Sequence, residues 1–126
     1  MEANAFYSKL LERALKEIKK HNLNVIVFGP LRTQTNEYDK HVLLFEEAHN
    51  LLKSKKLKIF NQIPYLDINL EGAPFDFDKK FPIFFGGIIS SGLITDAYFM
   101  KGWELSQGSH FEHDLCTNNN IKIHYL

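Results

Sequence analysis

The sequence predicts a three-layer α/β domain, a mainly parallel sheet of four or five strands with helices on both faces. Three observations predict it. Two long segments in the first half repeat apolar residues at helical spacing. Asn24-Val25-Ile26-Val27-Phe28 is a continuous β-branched run of the kind found in a strand covered on both faces. Helical and strand patterns then alternate along the chain, which implies parallel strands joined by crossover helices.

The elements follow in order. Phe6, Leu10, Leu11, Ala14, Leu15 and Ile18 recur at helical spacing between lysines and glutamates, giving an amphipathic helix over about 4–20 with its exit at His21 and Asn22. Gly29-Pro30 ends the first strand sharply, and residues 31–36 form a loop that carries Arg32, Thr33, Thr35 and Asn36. Residues 38 to about 53 form a second helix. Val42, Leu43, Phe45, Ala48, Leu51 and Leu52 are its apolar stripe, and Glu46 and Glu47 lie outside it. Residues 57–60 read as the second strand. Residues 65–81 are the least regular part, and a loop this long in a compact domain is more often a binding loop than a connection. Residues 84–93, apolar but rich in Gly and Ser, read as a tightly packed helix in which small residues let backbones approach.

The last third repeats the strand–helix–strand pattern. Residues 95–100 are short, apolar and aromatic, as a buried strand is. Residues 102–108 form a polar loop around Trp103. Ser109 opens a short helix with Glu112 in its first turn, Asn118 to Asn120 close it, and residues 121–125 alternate as a final strand. This is a Rossmann-like or flavodoxin-like arrangement, with residues 1–22 as an N-terminal amphipathic helix and 23–126 as the α/β domain. In such sheets ligands bind outside the carboxyl ends of the strands. Three groups are expected on that edge: residues 29–36, residues 61–65 and residues 102–112.

Composition narrows the function. The chain has 126 residues, with 15 Lys+Arg against 15 Asp+Glu. That suits one domain and offers no electrostatic case for nucleic acid or an anionic membrane. Cys116 is the sole cysteine, so no intrachain disulfide and no cysteine-rich zinc site is available. The first residues are interrupted by charges throughout, unlike a signal peptide, and no apolar run approaches the roughly 20 residues of a membrane span. A cytoplasmic protein is expected.

Read for chemistry, Glu112 beside Gly108, Ser106 and Ser109 is a carboxylate near a helix start, where a sugar or phosphate can be held. The structural alternative is that Ser109-x-x-Glu112 is a capping box. Trp103 either stacks on a base or packs its loop onto the sheet. Asp96 reads as a structural or pocket-edge residue. His110, Glu112, His113 and Asp114 invite a metal, but no third ligand stands at zinc-site spacing and none is expected. His41 and His49 read as solvated, and Cys116 as a small buried residue. Gly86-Gly87 is not part of a dinucleotide fingerprint, so no cofactor is expected.

The chain resembles the nucleoside 2-deoxyribosyltransferase-like superfamily over about residues 24–126, and within it the 2′-deoxynucleoside 5′-monophosphate N-glycosidases. The resemblance rests on Val25-Ile26-Val27-Phe28-Gly29-Pro30, on Phe60-Asn61 with Pro64, and most specifically on Asp96-Ala97-Tyr98-Phe99-Met100, Gly102-Trp103-Glu104, Ser106-Gln107-Gly108-Ser109 and Glu112. It implies N-glycosidic chemistry on a small nucleoside or nucleotide. Glu112 is then the nucleophile that forms a glycosyl ester. Ser106, with Gly108 and Ser109, takes the phosphate side, and Gly29, Pro30, Arg32, Asn61 and Trp103 form the walls. It also implies a homo-oligomer. Two departures stand out. The family's acid on the preceding helix has no counterpart in residues 84–91, and Ser106 stands where the transferases have an aspartate, which argues against transfer between free nucleosides. A nucleotide-binding protein using the same pocket is the alternative. A third reading is an oligomer-building domain whose N-terminal helix packs between subunits.

Overall fold

The computed structural model describes residues 3–29, 38–66 and 80–126. Helix α1, Ala3–His21, leads into strand β1, Val25–Phe28. Helix α2, Tyr38–Ser54, and a single turn α3, Ile63–Leu66, follow. A π-type turn, Lys80–Phe85, runs directly into the short helix α4, Gly86–Ser90. Strand β2, Asp96–Phe99, a 3-10 turn, Trp103–Leu105, helix α5, Gln107–Asn118, and strand β3, Lys122–Tyr125, complete the order.

The protein is α/β with a small parallel sheet of three strands in the order β1-β2-β3. Val25 pairs with Asp96 and Asp96 with Lys122, and the register continues to Phe28, Phe99 and Tyr125. The expected strand over 57–60 is reduced to one isolated parallel bridge, Ile59 with Val25. The bonds Val25 N–H to Lys58 O and Phe60 N–H to Val25 O make it. Lys56 in the left-handed region (φ 63) and the turn at Ile63 bracket the segment. It lies outside β1, so the chain reverses its lateral direction between β1 and β2. In open α/β sheets such a reversal is where ligands bind, outside the carboxyl ends of the strands.

Alternation along the strands sends side chains to two cores. Ile26, Phe28, Ala97 and Phe99 face α1, α4 and α5 and pack with Phe6, Leu10, Ala14, Ile18, Phe84 and Ile88. Val25 and Val27 face α2 and pack with Phe45, Leu52, Ile59 and Met100. Helices therefore cover both sides of β1, the burial that its β-branched run predicts.

The stripe of α1 is buried in the chain's own core. Tyr65 fastens the same helix from the side: its hydroxyl donates to Glu17 Oε2 at 2.7 Å, and Arg13 lies 6.0 Å over its ring. Burial first, then Glu17, push the Tyr65 hydroxyl up to about 12. The glycine-rich helix is displaced from 84–93 to start at Lys80 and stop at Ser90, but its close packing is as expected. A β-carbon at Gly87 would collide with the Leu11 side chain.

The stripe of α2 is narrower than its sequence suggests. Phe45 and Leu52 are buried, whereas Leu43 and Leu51 are more than half exposed. The small sheet gives α2 only the β1 side to pack against.

Gly29 closes β1 against β2. A β-carbon there would stand 2.8 Å from both Cβ and Sδ of buried Met100, whose amide is tied to Phe28 O at 2.8 Å. Because Cβ of Met100 cannot swing away, Gly29→Ala is expected to destabilise by about 1–3 kcal/mol, as overpacking does. Thermal unfolding checks it; an unchanged melting temperature would remove Gly29 as the spacer between the strand ends.

Candidate functional site

Past the carboxyl ends of the strands stand Gly29, after β1, and Met100, Trp103 and the start of α5, after β2. The cap of α5 differs from expectation. Ser106, in extended conformation (φ −108, ψ 122), is the N-cap, and its hydroxyl accepts from Ser109 N–H at 3.3 Å. The capping box read at Ser109 and Glu112 is thereby corrected: Ser109 supplies a backbone donor, not the cap. Gly102 in the left-handed region (φ 88) turns the chain into the 3-10 turn before it, which sets the helix to begin earlier. Glu112 is then the sixth residue of α5, in the second turn rather than the first. It lies roughly 8 Å along the axis from the helix start.

Gly108, Ser109, Glu112 and Cys116 form the buried stripe of α5. Glu112 is 4 % exposed and Ser109 is 1 % exposed. Burial and then the Glu112 charge push the Cys116 thiol up to about 12, so it stays protonated at neutral pH. The Ser109 hydroxyl oxygen is buried with no hydrogen-bond partner among the described residues. An unpaired buried hydroxyl costs about 1–3 kcal/mol. The cap leaves Ser106 with one O–H to donate, since its hydroxyl only accepts from Ser109.

The other side of α5 is aromatic. Trp103, the only tryptophan, lies parallel to the His113 ring at 4.3 Å and 5°, with its edge on Phe99 at 5.4 Å. His113 Nε2 is 2.7 Å from the Tyr125 hydroxyl, and His110 Nε2 is 2.7 Å from Glu104 O. Trp103 thus joins its loop to β2, α5 and the end of β3. The histidines turn toward this cluster, on a different side of the helix from Glu112. Among the described residues no three His, Cys, Asp or Glu are grouped to hold a metal ion.

Asn61 belongs to a separate recess. Val27, Phe45, His49, Phe60, Asn61 and Gln62 line it on the α2 side, with room for about one water molecule. None of Trp103, Ser106, Gly108, Ser109 or Glu112 borders it. Gln62 was not singled out by the sequence. It is buried and donates to Val27 O, and the neighbouring Asn61 was the available signal. His49 is half-buried rather than solvated; burial first, then Lys53, hold its pKa below the usual value. Pro30 and Arg32, with Thr33, Thr35 and Asn36, lie outside the described residues. So does most of the irregular stretch, over 67–79.

Asp96 stands at the opposite, amino end of β2. Its carboxylate accepts from the Thr95 hydroxyl at 2.7 Å and pairs with His124 Nε2 at 2.7 Å, and His124 stacks on Tyr98 at 4.4 Å. Burial raises its pKa, but the hydrogen bonds from His124 and Thr95 and the charges of His124 and Lys122 outweigh it and hold the carboxyl below its usual value. A carboxyl depressed in the folded state stabilises above its unfolded pKa, and that contribution is lost as pH falls through the folded value. Asp96→Asn is expected to flatten the acid side of the stability–pH curve. The difference is on the order of 1 kcal/mol or less at neutral pH, because the pair is partly open to water. Denaturant titrations from pH 7 to pH 3 check this, and parallel curves for both proteins would refute it.

No described helix is long and apolar enough to cross a membrane. No family model, curated protein or solved structure matches this chain.

Proposed function

We propose that the chain is a nucleoside or nucleotide N-glycosidase of the nucleoside 2-deoxyribosyltransferase-like superfamily, with Glu112 as its nucleophile. The observation that carries the reading is a single carboxylate, 4 % exposed, on the buried face of the helix that starts at the strands' carboxyl ends. This is the position at which the resemblance to the superfamily places the nucleophile. The finer fold belongs to the same reading: a Rossmann-like sheet of four or five strands in which residues 57–60 take part, in a cytoplasmic homo-oligomer.

In the proposed reaction a Glu112 carboxylate oxygen attacks the anomeric carbon, C1′. The bond from C1′ to the base nitrogen breaks, its electron pair stays on the base, and a proton from solvent or substrate neutralises the leaving group. The glycosyl ester is then hydrolysed by water, whose oxygen ends on the sugar while Glu112 is released as carboxylate. Splitting one displacement into two is what a carboxylate nucleophile contributes. Ser106 donates its remaining O–H to a 5′-phosphate, assisted by the Gly108 amide at the positive end of α5.

A second reading, a nucleotide-binding protein without turnover, is favoured by α4. This helix packs against α5, and its buried Ile88 and Ile89 offer no proton to a leaving base. Chromatography of reactions with ribo- and deoxynucleosides and their 5′-monophosphates separates the two. Free base from wild type but not from Glu112→Ala supports the glycosidase. A folded wild type that releases no base from any of them, yet is stabilised by one and returns it unchanged, supports the binding protein.

A further inference from the structure

We infer that the Ser109 hydroxyl is a substrate contact: it pairs with a ring hydroxyl on the face of the sugar that Glu112 attacks. The inference rests on the glycosidase reading and moves Ser109 from the phosphate side, where the resemblance put it, to the sugar. Among the described residues Ser109 has no structural partner to explain its hydroxyl. It does not cap α5, since Ser106 does, and Ser109 contributes only its N–H to that bond. It does not bond back along the helix either. The carbonyl four residues back is that of Leu105, ahead of the cap, and the Ser106 carbonyl three back takes His110 N–H at 3.1 Å. What remains is a fully buried hydroxyl oxygen without a hydrogen bond, in a residue 1 % exposed. Buried polar groups are nearly always paired, so an orphan of this kind requires a reason.

Its position supplies one. Glu112 follows three residues later on the same buried stripe, and side chains three apart on a helix have β-carbons about 5–6 Å from each other. The stereochemistry of a β-nucleoside then selects the partner. A nucleophile that displaces the base approaches C1′ from the face opposite the base, and the 2′ and 3′ hydroxyls point to that face. A hydroxyl beside the nucleophile therefore meets one of them. Serine both donates and accepts, as a sugar hydroxyl does, so the pair satisfies both groups.

The test is Ser109→Ala with two measurements. Without ligand, removing an unpaired hydroxyl is expected to raise the melting temperature by roughly 2–5 °C. A hydroxyl with a structural bond lowers it instead. Binding is measured by calorimetry in the Glu112→Gln background, which stops turnover, with and without Ser109→Ala. The probes are the 5′-monophosphates of the common bases as ribo, 2′-deoxy, 3′-deoxy and 2′,3′-dideoxy compounds. Ser109→Ala is expected to weaken the compounds that bear the recognised hydroxyl by about 3- to 10-fold and to leave the dideoxy compound unchanged. The two monodeoxy compounds identify which hydroxyl it is. A lowered melting temperature, or an equal loss on the dideoxy compound, overturns the inference. Base release by wild type without such discrimination overturns it alone; absence of both release and binding removes the glycosidase reading with it.

Discussion

Glu112→Gln is expected to lower the rate of base release by roughly 10⁴-fold or more, the scale on which removing a covalent nucleophile acts. Glutamine keeps the length and shape of the side chain, so packing against the neighbours of α5 is retained. The amide oxygen is too weak a nucleophile to form the glycosyl ester. The loss should fall on kcat, with KM little changed, because the carboxylate acts at the reacting carbon rather than in ground-state binding. Single-turnover kinetics of base release, beside a melting curve showing the variant folded, check it. Equal rates for wild type and Glu112→Gln would assign the nucleophile elsewhere, whatever the burial of this carboxylate. Glu112→Asp gives a second view: shortening by one methylene withdraws the oxygen from the anomeric carbon, so it too should lose most of its rate.

Removing residues 1–21 is expected to abolish cooperative unfolding. Helix α1 contributes Phe6, Tyr7, Leu10 and Ile18 to the larger core, all of them buried, with Ala14 fully buried between them. Each large side chain is worth roughly 1.5–3 kcal/mol of burial. Together they match the roughly 5–15 kcal/mol that separates folded from unfolded domains. The deletion would also bare Phe84, Phe85 and Ile88, on the elements that α1 covers. A milder variant tests the same contact in a folded protein. Leu10→Ala is expected to cost about 2–5 kcal/mol, the range for burying a cavity in place of a leucine. Calorimetric or denaturant unfolding of both proteins decides it. A truncated chain with a sharp transition near the wild-type temperature would return α1 to the role of a separate appendage.

Much of the architecture was legible because each element buries a patterned face. The 3.6-residue stripe of α1 and the β-branched run of β1 describe the surfaces they cover, so their positions match within a residue or two. Strand β2 and the end of α5 at Asn118 were readable for similar reasons, one from an apolar run and the other from three successive asparagines. Asn120 accordingly takes the left-handed conformation (φ 58). The buried carboxylate of Glu112 was also visible as a candidate, since an acid beside small residues near a helix start stands out by composition alone.

What the tertiary structure decided has in each case a cause that lies outside local pattern. Residues 57–60 have a strand's composition, but a ladder requires a neighbour over several residues, and β1 meets them at Ile59 alone. Leu43 and Leu51 repeat at helical spacing like core residues, yet a sheet this small leaves them in solvent. At the start of α5 the sequence pointed to Ser109 as the cap. The left-handed turn at Gly102 and the 3-10 turn after it selected Ser106. That choice moved Glu112 into the second turn and left the Ser109 hydroxyl buried without a partner. The sequence by itself determined α1, β1, β2 and the end of α5, because those depend on the periodicity of burial and on local turn chemistry. Only the tertiary structure decided which serine caps the helix and which polar groups share its buried face, because those depend on where the preceding chain is anchored.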